Sequence, residues 1–186
     1  GVELAMGFSM SGQQAYHWGA IYPQFVKRIC STCGSAKTSP HNWVMLEMYK
    51  SAIESAEGWE TNTVESWPPG LLPVMGSMAA TMAWSQDWYR EGLYSEAGAS
   101  TPAEFIAGAI GLFETWTPAD FHAQVRTWMS ADVSDTDIFN GDLDAALGAI
   151  EVPALIMPCD TDMYFRVADN EAEVAKMPNA ELRVIH

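Results

Sequence analysis

Positive charge is scarce in this chain of 186 residues: nine lysines and arginines stand against 24 aspartates and glutamates, a formal net charge of −15. Cations so few and so scattered form no phosphate-binding stripe, which excludes nucleic acid as a partner class. Long apolar runs are missing too. None reaches the ~20 residues that a membrane-spanning helix needs, so no membrane role is expected, and no basic, apolar leader opens the sequence. Cysteine is sparse, with only Cys30, Cys33 and Cys159. An odd, small number offers no disulfide framework and suits a reducing, cytoplasmic setting. Cys30 and Cys33 have C-x-x-C spacing, but they lie in an apolar, strand-like stretch and lack two further ligands. They are expected to be small core residues, and no metal centre is expected.

What the chain does have is apolar content, 48% of its residues, enough for the core of one domain. Its most informative segment comes first. The apolar run Val2–Met6 leads into Gly7-Phe8-Ser9-Met10-Ser11-Gly12 and then a helical stretch, Gln13–Tyr22, closed by Pro23. A strand, a sharp turn with serine at its tip and a helix form the arrangement that exposes a nucleophilic hydroxyl. Here Ser9 is the candidate nucleophile. The backbone N–H of Met10, at the helix start, is the candidate oxyanion donor. The pattern is G-x-S-x-G with Ser11 in place of the last glycine.

Three zones follow one another. Residues 1–35 read as strand–turn–helix–strand, the second strand running Phe25–Cys33, which implies a parallel sheet. Residues 36–140 hold no clear strand and are rich in Trp, Met and Ala. They read as a helical lid, with helices expected over His41–Ser55 and Gly70–Trp84. Two more begin alike, at Thr101-Pro102-Ala103-Glu104-Phe105 and Thr117-Pro118-Ala119-Asp120-Phe121, each with a Thr cap, Pro in the first turn and an acid reaching back. Residues 141–186 return to helix–strand alternation, with strands at Val152–Pro158 and Glu181–Ile185. The fold class is therefore α/β: a mostly parallel sheet interrupted by a helical insertion. Both ends begin or stop in strand-like sequence and are expected to be truncations. The Met- and Trp-rich lid helices offer a surface for a homodimer.

Directly after the third-zone strand comes Cys159-Asp160-Thr161-Asp162-Met163-Tyr164-Phe165. An acid at the carboxyl end of a parallel strand stands at the rim where such sheets place their chemistry, and Asp160 and Asp162 both qualify. The order serine, acid, histidine is that of the α/β-hydrolase fold. The histidine is the gap. His17 follows the elbow on its own helix, His41 and His122 fall in the lid, and His186 ends the last strand. The catalytic histidine is expected beyond residue 186, outside this chain.

These residues resemble a family. Gly7-Phe8-Ser9-Met10-Ser11-Gly12-Gln13-Gln14-Ala15, Tyr22-Pro23, Ser35–Asn42, Ile150–Leu155, Thr161–Phe165 and Met177–Leu182 are similar to the homoserine O-acetyltransferases of the α/β-hydrolase superfamily. The resemblance implies a Ser–Asp–His triad, a serine acyl-enzyme and acyl-CoA as co-substrate without a bound cofactor. It places the nucleophile on Ser9 and the acid on Asp162 rather than Asp160. In the family an arginine in an Arg-x-Ala-Ile context grips the amino acid's carboxylate; the matching residues here are Lys50-Ser51-Ala52-Ile53. A Gly-Asp-Tyr element expected around Trp59–Trp67 is missing. The expected activity is acyl transfer from acyl-CoA to a small alcohol, with hydrolysis of small esters, or an inactive fragment of such an enzyme, as the alternatives.

Overall fold

A computed structural model describes residues 1–60 and 65–186. Part of the Trp59–Trp67 stretch lies outside the described residues. Two compact units emerge: residues 1–39 together with 130–186, and residues 40–129.

The first unit is an α/β layer. Four strands, β1 (Ala5–Phe8), β2 (Ile29–Thr32), β3 (Ala154–Met157) and β4 (Ala180–Leu182), pair in chain order, and every pairing is parallel. Phe8 lies opposite Thr32, and Thr32 opposite Met157, so the first three strands finish level with one another. Helix α1 (Met10–Ile21) crosses from β1 to β2. Its buried Ala15, Tyr16 and Ala20 pack with Ile29, Leu147, Ile150 and Ile156 in the core. Each large side chain fully buried there contributes about 1.5–3 kcal/mol.

The strands are shorter than the sequence suggests. The isolated bridge between Val2 and Val26 pairs both flanks without extending either strand, and Phe25, Lys27 and Arg28 are exposed. Helix α1 starts three residues earlier than expected, immediately after Ser9. The apolar pattern marks only the helix's buried face, and its first turn joins a half-buried Met10 to an exposed Ser11 and a buried Gly12 that add nothing to that pattern.

The second unit is helical: α2 (Pro40–Glu54), α3 (Leu71–Met82), α4 (Gln86–Arg90), α5 (Pro102–Glu114) and α6 (Pro118–Met129). The short α4 and a 3₁₀ turn at Leu93–Ser95 have no apolar period of their own and leave no mark in the sequence pattern. The twin helix starts use the expected chemistry with one difference. Thr101 Oγ1 accepts the Glu104 amide, but the Glu104 carboxylate reaches the Ser100 amide at 2.6 Å instead of that of Thr101. At α6, Thr117 Oγ1 accepts from the Asp120 amide and donates to the Asp120 carboxylate. Phe105 anchors an aromatic cluster, its ring centroid 4.7 Å from Trp84 and 4.8 Å from Trp88. Helices α7 (Leu143–Gly148), capped by Asp142, and α8 (Val167–Val174) complete the first unit.

Candidate active site

Ser9 sits at the tip of the turn between β1 and α1 with φ 58° and ψ −126°, a left-handed conformation that costs a non-glycine residue about 1–3 kcal/mol. Its amide donates to the Thr32 carbonyl (2.9 Å), which pins the turn to the end of β2. The Ser9 hydroxyl caps no helix amide. The first helical bond runs from Gln13 N–H to Ser9 O, so the amides of Met10, Ser11 and Gly12 lie ahead of it at the positive end of α1.

Glycine makes this turn buildable. A Cβ on Gly7 would lie 2.1 Å from the Ser11 carbonyl oxygen. A Cβ on Gly12 would lie 2.6 Å from Ser31 Oγ, and one on Gly34 2.5 Å from the same atom. Ser11, which replaces the last glycine of the pattern, is exposed, so its side chain fits without displacing the strand.

Three segments leave the level carboxyl edge of the sheet. Ser9 follows β1, Cys33 follows β2, and the Pro158–Phe165 loop follows β3. Two strand spacings, about 10 Å, separate the ends of β1 and β3, a gap that one imidazole and its two hydrogen bonds can fill. Asp162 Oδ1 accepts the amides of Tyr164 (2.7 Å) and Phe165 (3.1 Å), which fixes the carboxylate. Cys33 is buried between the two, also left-handed at φ 46°. Burial, then the charge of Asp162 and a hydrogen bond to it, push the Cys33 thiol up to about 11. Cys30 and Cys33 are both buried free thiols, and Cys33 is more than core filler because it borders the Asp162 loop.

The histidines are occupied elsewhere or exposed. His17 Nδ1 donates to the Gln13 carbonyl one turn back (3.0 Å). His122 Nε2 lies 2.9 Å from Glu54 Oε1, and His41 is exposed on α2. His186 Nδ1 lies 2.8 Å from Asp160 Oδ2, beside the bridge between Cys159 and Ile185. The two acids of the loop thus have separate engagements: Asp160 with His186, Asp162 with backbone amides. Lys50, in the position the family resemblance gives to a carboxylate grip, lies 3.1 Å from Glu47 and 3.3 Å from Glu54 on its own helix. Hydrogen bonding to Glu47 and then to Glu54 raises its pKa.

A second cluster is buried and has no counterpart among the sequence expectations. Glu173 on α8 is 8% exposed and takes hydrogen bonds from Tyr16 Oη (2.8 Å), the Ala36 amide (2.9 Å) and Asn170 Nδ2 (2.9 Å). Desolvation raises its pKa to about 7, against the pull of those donors. Asn170 Nδ2 also donates to the Gly34 carbonyl, and Gln13 Nε2 to Thr38 Oγ1 (3.1 Å). The only trace of this in the sequence is the i, i+3 spacing of Asn170 and Glu173.

Among the described residues, no group of three or more His, Cys, Asp or Glu side chains could hold a metal ion. No helix among them is long and apolar enough to cross a membrane.

No family model matches the chain. Individual proteins do. The chain is 30% identical to an ethyl acetate hydrolase from Pseudomonas veronii over 185 residues, covering 98% of this chain and 52% of that protein. It is 34% identical to a protein of Corynebacterium glutamicum named as a probable esterase, covering 97% and 52%. A homoserine O-acetyltransferase from Chloroherpeton thalassium is 25% identical, with coverage of 100% and 50%. Among solved structures, the acetyl esterase MekB superposes with a TM-score of 0.91 at 30% identity, over 97% of this chain and 53% of that one. An acetylester hydrolase from Corynebacterium glutamicum gives 0.89 at 28%, over 98% and 52%. The chain spans about half the length of the curated relatives it matches. It has the α/β-hydrolase fold and is related to the esterases and homoserine O-acetyltransferases built on that fold.

Proposed function

We propose that these residues form the nucleophile- and acid-bearing part of a serine hydrolase that cleaves small acetyl esters. The observation that carries this is Ser9, a left-handed serine at the head of a helix whose first amides have no helical acceptor. In this reading Ser9 Oγ attacks the ester carbonyl and the Met10 N–H stabilises the oxyanion. The alcohol leaves, and water releases acetate from the acyl-enzyme. Asp162 orients the histidine that serves as base. His17, His122 and His186 are hydrogen-bonded to other groups and His41 is exposed on α2, so the reading takes that base from outside residues 1–186.

Acyl transfer to an alcohol, the first expectation from sequence, uses the same acyl-enzyme with a different acceptor. Two observations weigh towards water. The ethyl acetate hydrolase and the esterase are 30% and 34% identical to this chain, the acetyltransferase 25%. Lys50, bound by two carboxylates, is a poor grip for an acceptor's carboxylate.

The test uses the full-length protein with p-nitrophenyl acetate, and separately with acetyl-CoA and a panel of small alcohols including homoserine. Rapid nitrophenol release, with CoA release independent of any alcohol, is expected. Acceptor-dependent CoA release that outpaces ester cleavage would restore the transferase reading.

A further inference from the structure

The carboxylate of Glu173 is bonded to elements that carry both candidate catalytic groups. Its Oε2 takes the Tyr16 hydroxyl, two turns into the helix that Ser9 begins. Its Oε1 takes the amide of Ala36, in the segment that leaves β2 just past Cys33. Asn170, one turn earlier on α8, donates both to Glu173 and to the Gly34 carbonyl. Helix α8 itself begins two residues after Phe165, whose amide holds Asp162.

We propose that Glu173 is a positioning residue, a buried three-way tie that fixes α1, the Gly34–Ala36 segment and α8 together and so sets the spacing between Ser9 and Asp162. This rests on the roles proposed above for Ser9 and Asp162.

The protonation state matters to the tie. All three donors are neutral, and the ionised carboxylate can accept from all of them at once. The other ionisable groups facing it are Tyr16 on α1 and Asp169 on α8. The Tyr16 hydroxyl is itself raised well above its ordinary value, by burial first and by Glu173 second. Asp169 adds like charge and pushes Glu173 upward. A protonated Glu173 must spend one oxygen as a donor. With the proton on Oε2 the Tyr16 bond reverses, Glu173 donating to Oη, and the Tyr16 proton must turn elsewhere, so three donors no longer converge on one carboxylate. The ionised form is therefore the tight form, and Glu173→Gln imitates the loose one.

The experiment compares the full-length parent protein with Glu173→Gln and Tyr16→Phe. It measures p-nitrophenyl acetate kinetics across pH and the rate at which diisopropyl fluorophosphate labels Ser9, fluoride leaving as Oγ bonds to phosphorus. Glu173→Gln is expected to lower kcat and the labelling rate by about 10–100-fold with KM within twofold, the pattern of a misplaced catalytic group. Tyr16→Phe, which removes one donor, is expected to lose less, about 3–10-fold. The acid limb of the parent's kcat/KM profile should be steeper than first order, because the base and Glu173 must both be deprotonated. It should fall to first order in Glu173→Gln. If Glu173→Gln does not fold, Tyr16→Phe decides alone. Variants that melt earlier but keep the parent's kcat, labelling rate and limb slope would overturn the positioning role. A parent protein that is not labelled at Ser9 would overturn the nucleophile reading, and this proposal with it.

Discussion

The two units solve the same problem, turning the chain sharply, in opposite ways. In the helical unit, the left-handed positions among the described residues are all glycine: Gly58, Gly70, Gly92 and Gly98. In the α/β unit, they are Ser9, Cys33, Asn140 and a single glycine, Gly141. Asparagine tolerates that conformation, whereas serine and cysteine hold it against their preference. Both strained residues stand where a strand ends at the carboxyl edge. Strain is thus kept where the candidate chemistry is and relieved elsewhere, which is the pattern expected when surrounding structure over-determines a functional turn.

This contrast can be broken at several points. The largest effect belongs to Ser9. Ser9→Ala in the full-length protein should lower ester turnover by about 10⁴–10⁶-fold. Ser9→Gly should be as inactive yet melt higher, by about 1 kcal/mol of released strain. A Ser9→Gly protein that melts lower would show that the turn is not strained.

Next come two glycines of opposite character. Gly7→Ala drives a Cβ to within 2.1 Å of a backbone oxygen, which no side-chain movement relieves. Urea unfolding should show a loss of about 3 kcal/mol or more, or no folded protein. Gly108, inside α5, has nothing within 4 Å of where its Cβ would be. Gly108→Ala should gain about 0.5–1 kcal/mol from helix propensity. Equal effects at the two sites would dissolve the distinction between the units.

The smallest expected effect is on pH dependence. The folded-state pKa of Glu173, about 7, lies above its ordinary 4.5. Ionisation completes the tie to its three donors, but the desolvation cost outweighs what those donors return, so the net contribution to stability is complete below the ordinary value and is lost as pH rises through about 7. Melting temperatures followed from pH 4.5 to 8 should decline more steeply in the parent than in Glu173→Gln. Equal slopes in the two proteins would mean that Glu173 carries the same charge in the folded and unfolded protein across this range and is not raised.

Much of this was legible in the sequence because it is local. Val2–Gly12 shows the strand–serine–helix turn, Thr101 and Thr117 announce their helices, and Asp162 stands just past a buried strand. The rest depends on neighbours distant in the chain. Glu173 looks like any acid on an amphipathic helix until Tyr16 and Ala36 are folded against it. Cys33 reads as core filler until the Asp162 loop arrives beside it. The strand ends were overrun because an apolar residue such as Phe25 can flank a strand without joining its ladder.

One feature of the α/β unit reaches further than its own stability. Lys37 and Asp132 pair antiparallel, joined by the Thr38 N–H to the Ala131 carbonyl (2.8 Å) and the Val133 N–H to the Ala36 carbonyl (2.9 Å), with a Lys37–Asp132 ion pair of 2.7 Å. The chain therefore departs for residues 40–129 and comes back at neighbouring points that are already stitched together. Lengthening, shortening or exchanging that excursion changes nothing about which strand lies beside which. Such a junction lets the helical segment vary in length and sequence while the turn that holds Ser9 stays unchanged.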